Sequence, residues 1–264
     1  MTDFLTARRN MVESQLRADA IIDARLLAGE RRRLADLIAA RTETRRPAAY
    51  LLNRAYIQGL PFFVDERVIV PRSFIGEIIA GDDGLPFTDD PGAAASVLDL
   101  CTGSGCLAIL AARAFANADI HASDISADAL EVAERNVGDY GLEDRITLHC
   151  GDLFAPIGKM RFDLIISNPP YVDAEAMAEL PPEFGAEPRL ALAGGEDGLD
   201  VVRRIIAQAD AHLTPAGGLL CEIGRGREIL EAEFPGLECL WLDTEESEGE
   251  VFWATHDALL RARS

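Results

Sequence analysis

Apolar and polar positions change their period along this chain. Over residues 1–45 the pattern is helical. Leu34, Leu37 and Ile38 fall at i, i+3 and i+4 and mark one face of a short amphipathic helix, which Pro47 ends. Residues 50–80 break into short apolar runs around Gly59, Pro61 and Pro71. Phe62-Phe63-Val64 and Val68-Ile69-Val70 predict a small β-hairpin around Asp65-Glu66-Arg67. Over 81–94, Gly, Asp and Pro cluster and predict a loop or linker.

From residue 95 a different rhythm begins. Apolar runs predict strands at 96–100, 119–124, 146–150, 162–167 and 218–223, with two more near 238–243 and 250–255. Helical patterns lie between them at 105–116, 126–138, 197–213 and 225–232. Strands alternating with helices form a parallel sheet covered on both faces. The link between the last two strands, 244–249, is too short for a helical crossover, so they should pair antiparallel. The expectation is an α/β fold whose seven-stranded sheet has its last strand antiparallel at an otherwise parallel edge. The chain then divides into a helical N-terminal region (1–45), a hairpin and linker (46–94) and the sheet domain (95–264).

Composition narrows the function classes. Of 264 residues, 48% are apolar, enough for a large core and too many for a wholly disordered chain. No stretch nears the roughly 20 uninterrupted apolar residues of a membrane helix. Arg8 and Arg9 run into Asn10, Met11, Val12 and Glu13, not into the apolar core of a signal peptide, which predicts a cytoplasmic protein. The 45 acids against 25 bases leave a net charge of −20. Residues 1–50 hold ten arginines against seven acids, so the acidity belongs to the remainder. Such a body repels nucleic acid and anionic lipid and attracts a basic protein. The five cysteines, at 101, 106, 150, 221 and 239, show no C-x-x-C spacing, so neither disulfides nor zinc are expected. Cys101, Cys150 and Cys221 sit in strand-like runs and read as small core residues. His121, His149, His212 and His256 are scattered, with no catalytic partners evident.

The chemistry lies at the strand ends. Asp99-Leu100-Cys101-Thr102-Gly103-Ser104-Gly105 leaves the first of these strands and opens a helix. Its glycines let backbone approach a ligand, and by themselves suit nicotinamide, flavin or S-adenosylmethionine equally. Asp124 ends the next strand, where a carboxylate can accept both ribose hydroxyls of an adenosine. Asp152 follows the third, where it can accept the adenine amino group with Leu153 or Phe154 against the ring. Asn168 in turn adjoins the fourth. All fall at the carboxyl edge of the sheet, where open α/β folds bind ligands.

Asn168-Pro169-Pro170-Tyr171 is the most specific signal. The prolines stiffen the loop and leave carbonyls without competing N–H donors. The Asn168 side-chain oxygen and the Pro169 carbonyl can hold both hydrogens of a planar amino group, on which Tyr171 can stack. An amide nitrogen is a poor nucleophile, and two fixed acceptors can orient it and stabilise its developing positive charge.

Together these features resemble the class I S-adenosylmethionine-dependent methyltransferases, and within them the HemK-like N(5)-glutamine methyltransferases. The match is nearest to the PrmB-type ribosomal protein group. It is carried by Arg46–Leu51, Val64–Val68, Val70–Glu77, the Asp99–Cys106 loop, Asn168–Leu180, Glu187-Pro188 and Gly194–Leu199. Ser73 and Cys101 distinguish the chain from release-factor methyltransferases, which usually carry Pro and Gly there. The N-terminal region is shorter than in that group, and residues 1–29 resemble the start of isoaspartyl-protein methyltransferases instead.

The resemblance implies S-adenosylmethionine held by Asp99, Thr102, Gly103, Ser104, Gly105, Asp124, Asp152, Leu153 and Asn168. It implies glutamine recognition by Asn168, Pro169, Pro170 and Tyr171, with no metal. Arg72 and Glu77 are expected over the cofactor or substrate. The implied partner is a basic, free ribosomal protein, the third of the large subunit. A release factor, or a cofactor-binding assembly role, stays open.

Overall fold

The computed structural model describes residues 28–80, 94–245 and 247–262. The likeness over residues 1–29 and the 81–94 linker therefore fall almost wholly outside the described residues. Helix α1 (Ala28–Thr44) stops where Arg45 turns left-handed ahead of Pro47. Leu34 and Leu37 are half-buried, but Ile38 is 57% exposed, so the apolar face packs only in part. Helix α2 (Ala48–Leu52) follows and closes on Asn53.

The hairpin forms earlier in the chain than expected. It pairs β1 (Ala55–Ile57) with β2 (Leu60–Phe62), and its two turn residues, Gln58 and Gly59, have φ of 49° and 72°. Positive φ at both positions matches the right-handed twist of the strands. The expected second arm, 68–70, cannot pair because its backbone is already engaged. The Tyr50 hydroxyl donates to the Val68 carbonyl at 2.5 Å, and the Val70 N–H donates to a Glu187 oxygen at 3.1 Å. Val64, Val68 and Val70 are buried around Tyr50. Helix α3 (Ile75–Ala80) completes this segment.

The main sheet uses β3 (Ser96–Leu100), β4 (Asp119–Asp124), β5 (Ile146–Cys150), β6 (Phe162–Ser167), β7 (Leu213–Glu222), β8 (Leu240–Leu242) and β9 (Val251–Thr255). Its order is β5-β4-β3-β6-β7-β9-β8. The first five pair in parallel, and β9 is antiparallel to both neighbours. The last strand is therefore not at the edge. Val251, Phe252 and Ala254 of β9 are buried, so that strand takes the interior place. Three-residue β8 forms the edge, with Leu240 49% exposed, and a short edge limits unwanted pairing.

Helices cover both faces: α4 (Cys106–Ala114), α5 (Ala127–Asp139), α6 (Ala174–Glu179), α7 (Asp200–Ala209), α8 (Arg227–Glu233) and α9 (His256–Ala262). Side chains alternate across β3. Val97 joins α3 and α4 on one face, while Leu98 and Leu100 join α7 on the other. Helix α7 is shorter than the expected 197–213. Gly195 and Gly198 have φ of 97° and 86°, which keeps the approach non-helical, and β7 already begins at Leu213. Cys221 is buried as expected and Cys101 partly so, but Cys150 is exposed at the end of strand β5.

Candidate active site

The glycine loop is built from beneath. Asp99 is fully buried, and its Oδ2 accepts from the Thr102 hydroxyl (2.5 Å) and the Ala108 N–H (3.0 Å). Burial pushes its carboxyl up to about 7, and its Oδ1 is buried without a hydrogen-bond partner. Thr102 donates its N–H to the Ser123 carbonyl, and the Ser104 carbonyl accepts from Asn136. Gly105 lies so near α5 that a Cβ would come 3.2 Å from Ala133 Cβ. These residues are the scaffold of the loop. Gly103 differs, since a Cβ there would meet nothing within 4 Å.

Gly103, Asp124, Asp152, Leu153, Asn168 and Pro170 line one cleft over the carboxyl ends of the strands. Its empty volume is about 860 Å³, open solvent at its mouth included. Asp124 accepts from the Gly103 N–H (2.9 Å) and the Ser126 N–H (2.8 Å), and burial raises its carboxyl above the ordinary range. Each oxygen keeps a further lone pair. Asp152 is exposed and paired with Arg204 of α7 at 2.5 Å. Cys101 and Leu153 hold left-handed backbone, with φ of 59° and 47°, where non-glycine residues are strained. Both strained residues line the cleft. An adenosyl group fits this set: two carboxylates at adjacent strand ends, an apolar wall of Leu153 and Val201, and an open backbone face at Gly103.

The Asn-Pro-Pro-Tyr segment closes the other side. The Ser167 hydroxyl donates to the Leu100 carbonyl (3.0 Å), which ties the end of β6 to β3. Asn168 and Pro170 line the cleft, while Pro169 is buried. Val172 donates its N–H to the Leu192 carbonyl (2.9 Å) and accepts from the Gly194 N–H (2.8 Å), which seats the following loop. Tyr171 donates its hydroxyl to Glu222 Oε1 at 2.8 Å. Beside it, Gly224 leaves the space that a Cβ would take 2.7 Å from the Tyr171 ring.

Sequence reading missed Glu222. It is fully buried at the end of β7, and its Oε2 also accepts from the Ser73 hydroxyl (2.7 Å) and the Phe74 N–H (2.9 Å). Burial pushes its carboxyl up to about 7 despite these donors. The available signal was a lone acid in the apolar run Leu219-Leu220-Cys221-Glu222-Ile223.

Arg72 and Glu77 do not line the cleft. Arg72 pairs with buried Glu187 at 2.5 Å, and Glu77 accepts from the Glu245 N–H at 2.7 Å. The cleft instead meets Arg67, Val68 and Ile69 of the same segment. His121 and His149 do have partners, namely each other. Their ring nitrogens are 2.8 Å apart, and burial lowers both below the ordinary imidazole value.

The family described as "Methyltransferase small domain" matches residues 87–184. The ribosomal protein uL3 glutamine methyltransferase of Bradyrhizobium diazoefficiens is 64% identical over 240 residues, covering 89% of this chain and 75% of that protein. Its counterpart from Burkholderia pseudomallei is 53% identical over 242 residues, with 89% and 78% covered. Among solved structures, a methyltransferase from Pyrococcus furiosus superposes with a TM-score of 0.54 at 17% identity, covering 85% of this chain and 97% of that one. The hMettl16 catalytic domain, in complex with the MAT2A 3'UTR hairpin 6, gives 0.52 at 18% identity, with 83% and 80% covered. At that identity the likeness is one of fold alone.

Proposed function

The chain belongs to the family of ribosomal protein uL3 glutamine methyltransferases, and we propose that it methylates a glutamine side-chain amide of uL3. The observation that carries this reading is the cleft itself. Asn168 and Pro170 border the same space as Gly103, Asp124, Asp152 and Leu153. A planar amide on one side thus meets an adenosyl donor on the other.

S-adenosylmethionine, when bound, supplies an electrophilic methyl group. Asp124 holds the ribose hydroxyls, Asp152 the adenine amino group, and Leu153 packs on the ring. Gly103 allows close backbone approach, while Asp99, Thr102, Ser104 and Gly105 keep the loop in shape. The Asn168 side-chain oxygen and the Pro169 carbonyl accept the two amide hydrogens. That would fix the nitrogen and stabilise positive charge on it as the methyl carbon passes from sulfur to nitrogen; the donor leaves as a neutral thioether and the nitrogen gives up one proton to water. Pro170 holds the loop, and Tyr171 packs on the amide. The acidic body favours encounter with a basic protein before RNA covers it. Nucleic acid and membrane play no direct part in this reading. No helix among the described residues is long and apolar enough to cross a membrane.

The test uses purified protein, tritiated S-adenosylmethionine, free uL3 and a release factor. Label on a uL3 glutamine is the expected result. Label only on the release factor overturns the substrate and keeps the chemistry. Binding without label on either overturns both.

A further inference from the structure

We infer that Glu222 is a positioning residue for methyl transfer: it fixes the Tyr171 ring and makes that placement depend on docking of the Ser73–Phe74 turn. The inference rests on the reading of Asn168–Tyr171 as the amide-binding loop.

The geometry is specific. One buried carboxylate accepts from three donors on two separate chain segments. Oε1 takes the Tyr171 hydroxyl at 2.8 Å, and Oε2 takes the Ser73 hydroxyl at 2.7 Å and the Phe74 N–H at 2.9 Å. A phenol ring can turn about its first two side-chain torsions, and a bond at its far end restricts both. Bonds to a buried carboxyl acceptor are strong, because no water competes for the site. Gly224 leaves room for the ring in this one place, since a Cβ there would stand 2.7 Å from it. The ring packs on the amide only in a fixed orientation, so a group that sets its tilt sets how well the nitrogen is aimed. Tyr171 touches substrate in this scheme and Glu222 does not.

The Ser73–Phe74 turn has a second anchor close by. The Val70 N–H and the Arg72 guanidinium both bind Glu187. The segment is thus pinned by two buried carboxylates, Glu187 at Val70 and Arg72 and Glu222 at Ser73 and Phe74, and the Glu222 pin also holds Tyr171. Loosening the turn therefore reaches the tyrosine through Glu222.

The test compares Glu222→Gln, Tyr171→Phe and the double variant, with Ser73→Ala as a milder change that leaves the carboxylate in place. Activity is measured on whichever protein glutamine the wild type labels, beside equilibrium binding of S-adenosylmethionine. Protein carrying 3-fluorotyrosine reports the four tyrosines by 19F NMR, with the Tyr171 signal assigned from Tyr171→Phe. Glu222→Gln should lower kcat about 10- to 100-fold, with cofactor affinity within twofold. The double variant should be no slower than the slower single variant. The Tyr171 resonance should move in Glu222→Gln, and by less in Ser73→Ala, while Tyr56 and Tyr140 stay. A kcat within threefold of wild type, effects that multiply, or an unmoved Tyr171 resonance overturns the inference. If Glu222→Gln does not fold, Ser73→Ala decides by the same resonance. If the wild type labels no protein, the function reading has failed, and the NMR arm still tests the coupling.

Discussion

The carboxylates on the two sides of the cleft live in different surroundings. Asp152 and its partner Arg204 are 47% and 50% exposed, and Asp124 is bound by backbone 2 and 21 residues away. Glu187 and Glu222 are 1% and 0% exposed and hold groups 51 to 149 residues distant in sequence. The first kind lines the cleft, as the proposed cofactor-binding role requires. The second kind spends its oxygens on the protein's own backbone and side chains. One side is thus prepared to bind, and the other to hold shape.

The largest expected effect tests the shape-holding side. Arg72→Ala leaves Glu187 buried without its cation, which should cost about 3–5 kcal/mol in urea unfolding. A loss below about 1 kcal/mol, the range of an exposed pair, would erase the contrast. Next comes Asn168→Ala. Methyl transfer should fall about 10²- to 10³-fold, as when one donor of an oxyanion hole is lost, with cofactor affinity within threefold. A matching loss of cofactor affinity would merge the two sides into one.

A third test uses pH. Glu222 ordinarily loses its proton near 4.5 and here does so near 7, because it is buried. Between those values the unfolded chain releases this proton while the native state keeps it. Its contribution to stability therefore falls as pH rises through the window, by up to about 1.4 kcal/mol per pH unit. Asp99, also raised to about 7, adds a slope of the same sign. Glu222→Gln should flatten the stability difference between pH 5 and pH 7 measured by urea, leaving the parts due to Asp99, Asp124, His121 and His149. An unchanged slope would sever Glu222 from this account. The smallest effect belongs to the exposed pair: Arg204→Ala should change stability by no more than about 1 kcal/mol, and less in high salt.

The same contrast explains what could be read in the chain. Strands β3 to β6 match the apolar runs because each needs only its own residues and a place in a parallel sheet. Gly103, Asp124, Asp152 and Asn168 were legible because each follows a strand whose carboxyl end must point the same way. Glu222 was hidden. It follows a strand too, but its meaning depends on Ser73, Phe74 and Tyr171, which no local spacing connects to it. The hairpin was misplaced for a related reason. Val68 and Val70 look like strand residues, yet Tyr50 and Glu187 occupy their backbone groups. The turn falls at Gln58-Gly59, and Pro61 lies within the strand that follows it. Arg72 looked free for a ligand only because its partner lies 115 residues downstream.

Sequence separation also sets an order of assembly. A ribosome makes this chain from the N-terminus at roughly 5–20 residues per second, and domains form as their parts emerge. The strand ends carrying Gly103, Asp124, Asp152 and Asn168 are all made before β7 exists. Tyr171 receives its anchor only when Glu222 arrives, after a further 51 residues. On a nascent chain, the strand ends that line the cleft can therefore be in place several seconds before the Asn168–Tyr171 loop receives this anchor. Vectorial synthesis thus separates the two sides of the cleft in time.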